Sequence, residues 1–95
     1  MRWIEIVTLR AAAVEMDALV SEIQEMLAGV GRVHVRLFRN PAVGSDISVH
    51  VHLETADEHT PINDLGEKLA RTLEDYGLVS RTLWQEIEAL PEKRS

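Results

Sequence analysis

Three histidines and an arginine stand at spacings that could do chemistry. His50 and His52 are two apart in Ser45 to Glu54 (SDISVHVHLE), and His34 and Arg36 are two apart in Arg32 to Asn40 (RVHVRLFRN). Side chains along a strand point alternately to its two faces, so each pair points one way. Imidazole suits three tasks. As a nitrogen ligand it binds metals: His50, His52 and His34 with water would complete a catalytic zinc site, with Glu54 as a spare oxygen donor, and copper, nickel and iron also accept imidazole. With an unperturbed pKa of about 6.5, the same three histidines are candidate general acids and bases for a bound phenol or enol. They are also ordinary polar residues for lining a partly wet interface, and that structural role outweighs either chemistry. Arg36 offers a planar fork for a carboxylate or phosphate. Glu54 or Glu86 would serve it equally well as an ion-pair partner.

The elements that position these residues follow from periodicity. On the two histidine strands, Val33, Val35 and Leu37 alternate with His34, Arg36 and Phe38, and Ile47, Val49, Val51 and Leu53 alternate with Ser48, His50, His52 and Glu54. One face is apolar and the other mixed. The connection Asn40-Pro41-Ala42-Val43-Gly44 suits a hairpin loop. Pairing symmetric about it sets His34 opposite His52 and Arg36 opposite His50. A two-residue slip would keep the faces and change the partners, whereas a one-residue slip would bury the histidines and expose the valines and is strongly disfavoured.

Before the hairpin, Arg2 to Leu9 reads as a strand, with Ile4 and Ile6 on one face and Trp3, Glu5 and Val7 on the other. Ala11 to Ala28 reads as a helix whose stripe is Met16, Leu19, Val20, Ile23, Met26 and Leu27, stopped by Gly29. After the hairpin, Thr60 and Pro61 form a helix start. Ile62, Leu65, Leu69, Leu73 and Tyr76 make the second stripe, with Gly66 and Ala70 allowing close approach and Gly77 as the stop. Leu78 to Ile87 is the last strand, with Val79, Leu83 and Ile87 facing one way and Thr82, Trp84 and Glu86 the other.

The order is βαββαβ, a ferredoxin-like α+β domain. The crossover rule puts both helices on one face of a four-stranded antiparallel sheet of order 4-1-3-2. Residues 1–90 form the single domain and 91–95 a solvated tail. The helix-free face is then expected to carry Trp3, Val7, Phe38 and Trp84 beside His34, Arg36, His50 and His52. Exposed aromatic surface of that size calls for a cover, and a second copy of the chain is the simplest one.

Composition narrows the classes. The chain has 95 residues, a net charge of -6 and no cysteine. One small domain is expected. Scattered basic residues argue against nucleic acid. Disulfides and thiolate zinc sites are excluded. No signal peptide or membrane-length apolar run is visible, so a cytoplasmic protein is the default. Gly29-x-Gly31 follows a helix rather than opening one and is no nucleotide fingerprint.

With these elements in place, the chain resembles the dimeric α/β-barrel superfamily, in particular small domains of the antibiotic-biosynthesis-monooxygenase type. The resemblance lies in the length, the element order and the mixed aromatic and polar face, and it covers nearly the whole chain. It implies a homodimer whose two sheets enclose a small, often aromatic, molecule, and in some members oxidation without metal or flavin. The haem-degrading branch uses an Asn, a Trp and a helix-borne His. Here His59 precedes the second helix and the first strand has no Asn, which counts against that activity.

Three readings follow. The first is a homodimer binding a small aromatic or carboxylated molecule through Trp84, Arg36, Phe38 and Trp3, with no cofactor and with monooxygenase or isomerase chemistry by His50, His52 and His34. The second is a non-catalytic ligand-sensing or assembly domain. The third is a metal protein using His50 and His52, with His34 as third ligand and zinc as the leading ion.

Overall fold

The structure is a computed structural model that describes residues 1–11, 15–28, 34–56 and 64–91. Six elements run in order: β1 (Arg2–Ala11), α1 (Met16–Leu27), β2 (His34–Arg39), β3 (Asp46–Glu54), α2 (Asp64–Leu73) and β4 (Gly77–Gln85). The four strands form one antiparallel sheet in the order β2-β3-β1-β4. This is the expected ferredoxin-like α+β topology, with the histidine strand β3 inside the sheet.

The hairpin has the symmetric register. His34 pairs with His52, Val35 with Val51, Arg36 with His50 and Leu37 with Val49. Asn40 holds the turn: its side-chain oxygen accepts from the backbone N–H of Ala42 at 2.9 Å and of Val43 at 3.2 Å. Asn40 N–H then donates to Asp46 C=O at 3.0 Å, closing the loop.

The core is on the helix side. Val7, Leu9, Ile47, Val49 and Val51 meet Leu19 and Ile23 of α1 and Leu69, Ala70 and Leu73 of α2, and all are buried. Side chains of this kind are each worth about 1.5–3 kcal/mol when withdrawn from water. The two stripes read from spacing therefore supply the core, with Met16, Met26, Leu27, Leu65 and Tyr76 packed at its edge. Tyr76 also reaches α1, donating its hydroxyl to the Glu22 carboxylate.

Helix ends depart from expectation. Strand β1 runs on to Ala11, and α1 begins at Met16 rather than at Ala11. Its last turn is closed by Ala28 N–H on the carbonyls of Gln24 and Glu25. Helix α2 ends at Leu73, and Gly77 opens β4 instead of stopping the helix. A Cβ on Gly77 would sit 2.2 Å from the Arg10 carbonyl oxygen, so the close pairing of β4 with β1 requires glycine there. The Gly29 stop and the Thr60-Pro61 start lie outside the described residues.

Strand β1 is turned opposite to expectation. Trp3, Glu5, Val7, Leu9 and Ala11 face the helices and are buried, while Ile4, Ile6, Thr8 and Arg10 face the open side. Trp3 lies opposite Leu53 and Val7 opposite Val49, both residues of the apolar face. Trp3 Nε1–H donates to Thr55 Oγ1 at 3.0 Å, which satisfies its one polar atom. This facing brings Trp3, Val7, Leu9 and Ala11 into the core and leaves Thr8 and Arg10 in water, and Glu5 is carried in with them. Its carboxylate is buried yet neutralised by Arg81, whose guanidinium donates to Glu5 Oε1 at 2.7 Å from Nε. Room for it comes from Gly66 on α2, where a Cβ would lie 2.3 Å from Glu5 Oε1.

Candidate ligand-binding site on the open sheet face

Register sorts the helix-free face into rows across the strands. One row is His34, His52, Ile4 and Trp84. The next is Arg36, His50, Ile6 and Thr82, and the third is Phe38, Ser48, Thr8 and Ser80. Residues facing each other in antiparallel strands have Cβ atoms about 4.5–5.5 Å apart, so each row is a line of neighbours.

The first row forms the floor of a groove of about 720 Å³, together with Arg36 and the rim charges Arg2, Glu54 and Glu86. His34 and His52 meet edge to face, with ring centres 5.5 Å apart. Arg36 Nε–H donates to His34 Nε2 at 2.9 Å. A guanidinium has no acceptor, so Nε2 of His34 carries the lone pair and Nδ1 the proton. Arg36 makes no ion pair with Glu54 or Glu86. The rest of its fork is free for an anion in the groove. Trp84 is 58% exposed and donates its indole N–H to Thr82 Oγ1 at 3.0 Å, which holds the ring over the sheet. The groove thus joins a flat apolar wall, a cation and two imidazoles.

His50 is in a different setting. Its ring lies against Phe38, with centres 4.3 Å apart, and its Nε2 shares a hydrogen bond with Ser48 Oγ at 2.8 Å. Burial pushes its pKa below the ordinary histidine value, and the nearby His52 pushes the same way. Phe38 and Ser48 border a second groove of about 610 Å³, with the paired hydroxyls of Thr8 and Ser80 on its floor and Leu78 at its side.

The predicted site residues thus divide. His34, His52, Arg36 and Trp84 come together in one groove. His50 and Phe38 belong to the rows beside it. Trp3 is buried with its side chain on the helix side of the sheet and borders the groove only at its end, next to Ile4. Ile4 takes its place beside Trp84.

Among the described residues no group of three His, Cys, Asp or Glu side chains is placed to hold a metal ion. His50 turns toward Phe38 and Ser48, while the lone pair of His34 Nε2 already meets a guanidinium, which repels a second cation.

Sequence reasoning missed the Glu5–Arg81 pair, which links β1 to β4 beneath α2 with a side-chain contact of 2.6 Å. The available signal was Arg81 itself. It shares the parity of the apolar Val79 and Leu83 that flank it on the helix-facing side, and such a charge needs a partner.

Fold and face together define a class: the chain has the fold of small antibiotic-biosynthesis-monooxygenase-like domains, four strands with both helices on one face. Two solved structures carry the likeness over nearly full length. SnoaB, a cofactor-independent oxygenase from Streptomyces nogalater, superposes with a TM-score of 0.67 at 11% identity, covering 96% of this chain and 98% of that one. An antibiotic biosynthesis monooxygenase, so assigned, from Bordetella bronchiseptica gives 0.61 at 14% identity, covering 92% and 98%. No family profile and no curated protein matches the chain. Among the described residues no helix is long and apolar enough to cross a membrane.

Proposed function

We propose that the chain is a homodimer that binds a small aromatic carboxylate or phenol on the open face, between two facing sheets, and oxidises or isomerises it without metal or flavin. The observation that carries this reading is the groove in which Trp84, Arg36, His34 and His52 converge. Trp84 and Ile4 supply the apolar surface for a ring. Arg36 holds a carboxylate through the part of its fork that His34 does not use. His52 takes the proton of a phenol or enol, with His34 packed against its ring to limit its rotation. A phenolate or enolate formed there is electron-rich enough to react directly with dioxygen, or it takes its proton back at another carbon. The oxygenase chemistry that SnoaB performs without a cofactor supports the first outcome. A second copy over the face would exclude bulk water and strengthen the charge contacts.

Titration with 4-hydroxybenzoate, followed through Trp84 emission, tests binding. The wild-type protein is expected to bind, and Arg36→Gln to bind about tenfold or more weakly, the usual loss for a charge-assisted hydrogen bond. His52→Gln should retain binding and lose turnover, read as dioxygen uptake with an electron-rich phenol. Equal binding by wild type and Arg36→Gln would remove the groove from consideration.

A further inference from the structure

On the other side of the sheet, between α1 and the β2–β3 hairpin, lies a cleft of about 290 Å³. Its walls are Met16, Leu19, Val20 and Ile23 of α1 and Leu37 and Ile47 of the hairpin. Leu19, Ile23 and Ile47 form a buried floor, while Leu37 stands at the mouth, 38% exposed. The cleft is open to solvent along one side, and the partly exposed Leu37 leaves apolar surface uncovered there. Among the described residues that line it, the charged one is Arg39. It pairs with Ile47 and so lies on the helix side, it is exposed, and it has no ion pair among the described residues.

The chemistry of the lining selects the guest. Among the described lining residues no side chain but Arg39 is polar, so a polar substituent carried deep into the cleft would lose its water without a partner, at a cost of kilocalories. An aromatic acid with ring hydroxyls is disfavoured for that reason. An amphiphile with a single terminal anion meets both ends of the site. We infer that the cleft holds the alkyl tail of a free medium-chain carboxylate, with its carboxylate on Arg39. The site is separated from the His34–Arg36 groove by the sheet itself, and it stands whether or not the open face binds a ligand.

Calorimetry on the full chain with hexanoate, octanoate and decanoate tests this. Each methylene withdrawn from water tightens binding about fourfold, so each two-carbon step should give about fifteenfold until the cleft is full, after which the gain stops. Arg39→Gln should weaken decanoate about tenfold or more and leave decanol unchanged. Val20→Phe fills the cleft and should abolish both. Leu37→Trp, which closes the mouth from the exposed edge, serves the same purpose if Val20→Phe does not fold. Affinity independent of chain length would overturn the assignment. So would equal losses of decanoate and decanol in Arg39→Gln, or decanoate binding that the filling variants leave intact.

Discussion

His50 sits against Phe38 with its Nε2 on Ser48, and this contact sets one response of the fold to acid. Its folded pKa lies below the ordinary value of about 6.5 that it regains on unfolding. Below 6.5 the unfolded chain therefore binds a proton that the folded chain does not. The stability His50 contributes is complete above about pH 6.5 and is lost as pH falls toward its folded pKa. Urea midpoints between pH 8 and 5.5 should fall with acid in the wild-type protein, and His50→Gln should flatten that slope. His34 gives a second test at this scale. Because Arg36 fixes its lone pair on Nε2, nitrogen NMR at neutral pH should show the Nδ1–H tautomer, and Arg36→Met should release it to the commoner Nε2–H form. The rotational order of His50, His52, His34 and Arg36 was legible from two-residue spacing. Which of them would share a groove was not, because that depends on which neighbours in other strands crowd each ring.

Helix α2 can come down on the sheet only because position 66 has no side chain. In Gly66→Ala the new methyl group would collide with the Glu5 carboxylate, so α2 must lift or Glu5 must leave Arg81. Overpacking of this kind costs about 1–3 kcal/mol, to be read as a lower urea midpoint with an unchanged slope. The α1 stripe gives a comparison: Leu19→Ala should cost about 2–5 kcal/mol, since Leu19 is wholly buried against the sheet. Both helical stripes were readable in the sequence because a period near 3.6 has no competing interpretation there. The helix ends were less so. Gly77 looks like a helix stop by residue type, but its lack of a side chain is used against the Arg10 carbonyl in the sheet.

Among the described residues, nothing covers the helix-free side of the sheet. Trp84 is 58% exposed, Phe38 46% and Leu78 76%, all on that side. Pairing with a second copy would bury them, and light scattering at micromolar concentration should give twice the 10.7 kDa chain mass. Trp84→Asp should return the mass to one chain while circular dichroism stays native, because Trp84 contributes nothing to the helix-side core. The topology and the identity of the histidine face were determined by the sequence alone. Local periodicity fixes the faces, and of the registers two residues apart that keep those faces the strands take the one symmetric about the turn. The facing of β1 was decided only in three dimensions. Trp3-Ile4-Glu5-Ile6-Val7 is apolar on both parities, and a glutamate ordinarily marks the wet side. Arg81 from the end of the chain and the bare backbone of Gly66 reverse that preference, and neither is a neighbour of Glu5 until the strands have paired.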